Sequence, residues 1–254
     1  MRYQRVGLPA DMADPGSYIR SIEPHLNLSP ENTEWWKLQS RLLDSRLIAI
    51  QHYLSDDLEG TRDWAVRVMA FADDWFLGPW RDRAPSGNYH DQPPDRAWQD
   101  LNMPWQNEFQ ASLLWGSCLG EWERLGRLAS SLRDDIMQDV EQTPENRAWL
   151  LIAAGIVRGR PWNEMKEMID TVQDGRRKRE RLLLDLLDAI LHGDDSRLSE
   201  TSTRYFQYFK KSESKEFSIT AKVAIDGAFL LHFGRHQGRH VAIPSSVEDY
   251  IINL

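Results

Sequence analysis

The sequence predicts an all-α fold, an irregular array of antiparallel helical hairpins, on three grounds. Apolar residues recur at three- and four-residue steps through most of the chain, the period of a helix with one buried face. Glycines close several of these stretches at intervals of roughly 34 to 45 residues, about the length of one helical pair. Helix-start signatures, Ser29-Pro30-Glu31 and Thr143-Pro144-Glu145, precede two of the stretches, each with a hydroxyl cap and proline at the first helical position. The 254 residues read as a single all-helical domain: an irregular arm over 1–28, N-terminal helices over 29–77, a long loop over 78–104 and hairpins over 105–254.

In chain order, the Pro-containing stretch 1–28 lacks periodicity and reads as an arm lying on the body. A helix then runs from Ser29 to about Leu54, with Trp35, Leu38, Leu42, Leu43 and Ile50 on its apolar side. A second runs from about Thr61 to Leu77, where Trp64, Val68, Phe71 and Trp75 keep the helical period and Asp63 and Arg67 are spaced for a surface pair. The stretch from Gly78 to Pro104 has no period; a loop of that length in a compact domain is functional or mobile. Its Trp80, Tyr89, His90 and Trp98 are candidate anchors for a protein partner, since aromatic residues dominate interface energetics; a strap pinned over the helical array is favoured over that reading.

From Ala111 to Leu132 a helix, Gly120 and a second helix follow one another, and glycine suits the left-handed conformation that ends helices. Gly159, Gly193 and, more loosely, Gly238 repeat the arrangement, and Gly78 marks an earlier instance. The spacing matches tetratricopeptide or HEAT-like pairs, without the consensus residues of either, so the repeats are degenerate. Trp149–Val157 and Trp162–Val172 make one pair; Leu182–Leu191 is nearly all apolar and reads as a central buried helix. Tyr205, Phe206, Tyr208 and Phe209 mark the next helix, and Ser218–Phe233 another. Val241-Ala242-Ile243 precedes Pro244 and reads as extended. Ser246 and Asp249 resemble a capping box for a last short helix.

The net charge of −8 argues against general nucleic-acid binding, which needs a basic surface, and suits a basic partner. The 11 Trp are spread from Trp35 to Trp162 and read as packing residues. The single cysteine, Cys118, sits in an apolar stretch and reads as a small buried residue in a reducing compartment. No stretch reads as a signal peptide or membrane span, so a cytoplasmic location is expected.

Three polar clusters are candidates for chemistry. His232, His236 and His240 are four residues apart, the spacing of a helical metal pair, but Gly234 and Gly238 weaken that helix. Asp185, Asp188 and His192 share one helical face; a polar stripe with Arg181 paired to Asp185 is the plainer reading. The basic run Arg176, Arg177, Lys178, Arg179 and Arg181 suits a phosphate or an acidic patch, and a solvated turn is favoured over both. Asp226, polar in apolar company, reads as a structural hydrogen-bonding group. No P-loop, GxSxG, HExxH, GxGxxG or CxxC motif occurs, and no catalytic residue, metal or cofactor is expected.

The segments FQASLLWGSCLGEWERLGRLA (Phe109–Ala129), AWLLIAAGIVRG (Ala148–Gly159) and IDGAFLLHFGRHQGRHVAIPSSVEDYIINL (Ile225–Leu254) resemble immunity-protein family forty-nine of bacterial polymorphic toxin systems, over roughly residues 64–254. The resemblance implies a cytoplasmic antidote that binds and blocks a toxin domain, often a nuclease, and implies no catalytic residues. A basic toxin would meet an acidic antidote through complementary charge. The alternatives are a helical-repeat adaptor and an all-helical metal-dependent enzyme built on the histidine or Asp185/Asp188/His192 clusters. A binding protein is expected to lack a pocket with converging titratable groups.

Overall fold

The computed structural model describes residues 1–29, 35–78, 105–132, 143–216 and 218–254, and among them all regular structure is helical. The stretch 1–28 is more ordered than its composition suggests. It contains α1 (Arg2–Arg5) and α2 (Pro15–Ile22). Asp14 caps α2, accepting from the Gly16 amide at 3.0 Å, with Pro15 at the first helical position. The backbone carbonyls of Met12, Ala13 and Leu28 accept from Gln51, Ser55 and Arg41 of the following hairpin, and Val6, Leu8, Ala13 and Ile22 are buried. A local Asp-Pro helix start and long-range contacts to the next hairpin together order the arm.

Four helical pairs follow among the described residues. They are α3 (Trp35–Leu54) with α4 (Leu58–Leu77), α5 (Gln106–Leu119) with α6 (Trp122–Ser130), α7 (Pro144–Val157) with α8 (Lys166–Asp174), and α9 (Lys178–His192) with α10 (Asp195–Lys211). The predicted start of α3 at Pro30-Glu31 lies outside the described residues. α4 begins at Leu58, before the predicted Thr61, because Asp57 caps it and accepts from the Gly60 amide at 2.9 Å. Thr143 caps α7 as predicted, with Pro144 at its first position.

Each pair packs internally, and the pairs stack in chain order: α4 on α5, α6 on α7, α8 on α9. The first members form a row in which α3 meets α5, α5 meets α7 and α7 meets α9. α11 (Ile225–His236) starts no further pair. It lies against α5 and α9, and its residues from Asp226 to Gly234 are buried without a break. One contiguous core runs from Val6 to Ile252, with Trp75, Trp115 and Trp149 among its largest fully buried side chains. Each side chain of that kind stabilises the fold by roughly 1.5–3 kcal/mol or more.

Three of the predicted glycine turns share one geometry. Gly120, Gly159 and Gly238 have φ of 73°, 72° and 71°. The next amide in each case returns to a carbonyl five residues back: Glu121 to Gly116, Arg160 to Gly155, Arg239 to Gly234, all at 2.8 Å. The acceptor is itself glycine each time, so the turns read Gly-x-x-x-Gly. At the first glycine a Cβ would strike an apolar residue of the returning chain: Leu125, Met165 or Val241. Gly193 and Gly78 differ. Gly193 has φ −82° and sits where a Cβ would collide with the Ala189 backbone, and Gly78 has φ −71°.

Val241–Ile243 is extended, as predicted, and a 3-10 turn over Ser245–Tyr250 replaces the capped helix. Ser246 is no cap, because Asp249 instead receives both Nε and Nη2 of Arg5 at 2.8 Å. The chain then turns inward: the Ile251 carbonyl accepts from the Tyr53 hydroxyl at 2.5 Å, and Val247, Ile251 and Ile252 are buried.

Candidate functional site

The starts of α5, α9 and α11 converge, and none has a side-chain cap. Uncapped helix starts present free amides and a positive dipole end, which favour negative charge. Three acidic residues are buried among the described residues, Glu108, Glu180 and Asp226, and each lies in the first turn of one of these helices.

Asp226 is the hub. Its Oδ1 accepts from Trp149 Nε1 of α7 at 3.0 Å, and its Oδ2 accepts from Gln110 Nε2 of α5 at 2.8 Å and from Arg179 Nη2 of α9. Arg179 also donates through Nη1 to Glu180 Oε1 at 2.9 Å, and its Nε faces Glu213 Oε1 at 3.4 Å. Burial works against the Arg179 charge, but Asp226, Glu213 and Glu180 outweigh it and hold the group above its ordinary pKa. Burial pushes the Glu213 carboxyl up to about 7, with Arg179 pulling it back and Asp226, Glu180 and Glu216 adding to the rise.

Beside this network lies a cavity of about 470 Å³, in the size range of small-molecule sites. Asn107 and Gln110 of α5, Tyr205, Tyr208 and Phe209 of α10, and Ile225 and Asp226 of α11 line it. Arg46 of α3 and the run Arg177, Lys178 and Arg179 bring four cations, against three carboxylates from Glu213, Glu216 and Asp226. Burial raises the phenol pKa values of Tyr205 and Tyr208, so both are neutral hydrogen-bonding groups there. Chemically the site can hold a charged ligand against an aromatic wall and exchange a proton near neutrality through Glu213.

This cavity corrects the expectation of a surface without converging titratable groups. In the basic run Arg176, Arg177, Lys178 and Arg181 are exposed, as a solvated turn requires, and only Arg179 departs from that reading, drawn inward by three carboxylates. Asp226 is the structural hydrogen-bonding group expected. No local pattern marks Gln110, Trp149 or Glu213 as members of this network; the one local hint is Glu180, an acid interrupting a basic run.

The other clusters do structural work. His232 is buried, with Nε2 3.0 Å from the Ile252 carbonyl, and His236 stacks on Trp122 at 4.6 Å, so neighbouring turns of α11 send the two rings to different contacts. Burial lowers the His232 pKa, consistent with a neutral ring donating to that carbonyl. Asp188 pairs with His192 Nδ1 at 2.9 Å and with Arg197, and Asp185 pairs with Arg204 at 3.5 Å instead of the expected Arg181. Among the described residues no group of three potential ligands is placed to hold a metal. Cys118 is buried, which raises its thiol pKa. The loop anchors Trp80, Tyr89, His90 and Trp98 lie outside the described residues.

No family of known proteins, no curated protein and no solved structure matches this chain. No described helix is long and apolar enough to cross a membrane.

Proposed function

We propose that this chain is a cytoplasmic immunity protein that binds and neutralises a basic toxin domain, such as a nuclease. The observation that supports a binding role is the outer face of α4. Leu58, Val66 and Leu77, three of the four exposed large apolar side chains among the described residues, all lie on this helix. Val66 and Leu77 are eleven residues apart, about three turns, and so share a face. Exposed Arg62, Asp63 and Arg67 flank them. Apolar anchors ringed by charge are the anatomy of a protein interface. The net charge of −8 adds long-range attraction for a basic partner. The structural engagement of His232, His236, Asp188 and His192 favours binding over a metal-dependent reaction at those clusters.

The test uses the full chain and the toxin domain encoded beside it. Calorimetry should show a tight complex whose association slows between about 50 and 500 mM salt, with loss of toxin activity in the complex. Val66→Glu combined with Leu77→Glu should weaken it about 100-fold while leaving the helical circular dichroism intact. No complex, or a complex in which the toxin stays active as with an adaptor, overturns the reading.

A further inference from the structure

Independently of that reading, we propose that the cavity where α9 and α11 begin binds the phosphate group of a small phosphate ester of nucleoside-monophosphate size, with Arg46, Arg177 and Lys178 holding its charge.

The charges around the cavity divide into those already satisfied and those that are not. On the deep wall Asp226 is taken by Gln110, Trp149 and Arg179, while Glu213 Oε1 faces Arg179 at 3.4 Å without a hydrogen bond. The remaining three cations have no carboxylate within ion-pair distance among the described residues. Arg177 Nε reaches only the Thr143 hydroxyl at 3.3 Å, and Lys178 stands 5.5 Å from the Tyr208 ring centroid. Arg46 is the most telling. Its Nε is buried with no hydrogen-bond partner among the described residues, and its Nη1 makes one long contact, 3.5 Å, to the Asn107 carbonyl; Glu108 and Asp44 support its charge only from beyond ion-pair distance. A desolvated guanidinium left so incompletely bonded is costly unless an anion completes it.

The helix that carries two of these cations sharpens the case. Arg177 and Lys178 stand at the uncapped start of the 15-residue α9, where the dipole already disfavours positive charge. The Glu145 carboxylate already accepts from the Arg176 amide at 2.9 Å just before the helix, and a phosphate would meet the first-turn amides beyond it and relieve the repulsion among the side chains. Among the described residues the cavity lining is also positively biased, four cations against three carboxylates, in a chain whose net charge is −8. Three unpaired cations exceed what one carboxylate needs and suit a doubly charged phosphate. Tyr208, Tyr205 and Phe209 supply an aromatic wall for the body of the ester. Glu213 holds a proton over part of the neutral range and then adds no repulsion.

Calorimetry on the full chain with AMP, inorganic phosphate, adenosine and acetate tests this. AMP should bind with a dissociation constant below about 1 mM, phosphate should compete, and adenosine and acetate should bind at least tenfold more weakly. Arg177→Ala and Lys178→Ala, both at exposed positions, should each weaken AMP about tenfold, while Lys166→Ala on α8 leaves it unchanged. Arg46→Gln, checked for an unaltered circular dichroism spectrum, should abolish it. The proposal is overturned by no AMP or phosphate binding at about 10 mM, by adenosine or acetate binding as tightly as AMP, or by an Arg177→Ala/Lys178→Ala double variant that keeps full affinity. None of these outcomes bears on the toxin complex, which is measured without AMP.

Discussion

Asp226 draws on Gln110, Trp149 and Arg179, one donor from each of α5, α7 and α9, so a single carboxylate on α11 ties together three helices of the inner row. Its donors lie 116, 77 and 47 residues away in sequence, which is why its role as a bonded polar group was legible and its partners were not. Glu213 is the titrating member of the network, faced by Arg179, Asp226, Glu180 and Glu216. Its folded pKa of about 7 lies above the ordinary 4.5, so the native state holds a proton that the unfolded chain releases. The Glu213 contribution to stability is therefore full below pH 4.5, declines as pH rises through the window to about 7, and is flat above. Glu213→Gln mimics the protonated form. It should match the wild type at about pH 5 and exceed it by roughly 1–2 kcal/mol at about pH 8, measured by urea denaturation. A difference independent of pH would show that Glu213 does not titrate in this window.

Among the helices, the Gly-x-x-x-Gly ending of α5, α7 and α11 separates two demands. The second glycine supplies the left-handed turn, and its surroundings are empty: nothing lies within 4 Å of a Cβ at Gly120. Gly120→Ala should cost about 1 kcal/mol from the backbone conformation alone. The first glycine admits the returning helix, and a Cβ at Gly116 would lie 2.6 Å from Leu125 Cδ2. Gly116→Ala and Leu125→Ala should therefore be less than additive, by about 0.5 kcal/mol or more, because the second removes the atoms that the first strikes. Gly120→Ala and Leu125→Ala should simply add. Chemical denaturation of the single and double variants decides both. The turn glycine is visible in sequence because its requirement is local. A packing glycine such as Gly155, among small residues that allow close approach, is visible too, but the residue that it admits is not, because that neighbour belongs to the next element.

For the whole molecule, the decisive event is the return of α11 and the segment behind it onto the first-row helices. Val247, Ile251 and Ile252 are at most 2% exposed, the Ile251 and Ile252 carbonyls bond Tyr53 and His232, and Asp249 receives Arg5. Burial of three such side chains contributes about 5 kcal/mol or more, a large share of the roughly 5–15 kcal/mol that holds a domain together. Removing residues 245–254 should accordingly lower the melting midpoint by well over ~10 °C or abolish the transition, followed by circular dichroism. A truncated chain that melts like the full one would mean that the return carries little of the stability.

The amino-acid order alone settles helix class, pairing and most turn positions, because period, caps and left-handed glycines act within a few residues of one another. It leaves open where the last helix goes, and with it which charges are stripped of water. Desolvation depends on neighbours brought from a hundred residues away, so the drawing-in of Arg179, the burial of His232 and the cavity beside Asp226 exist only once the row of helices has closed around α11.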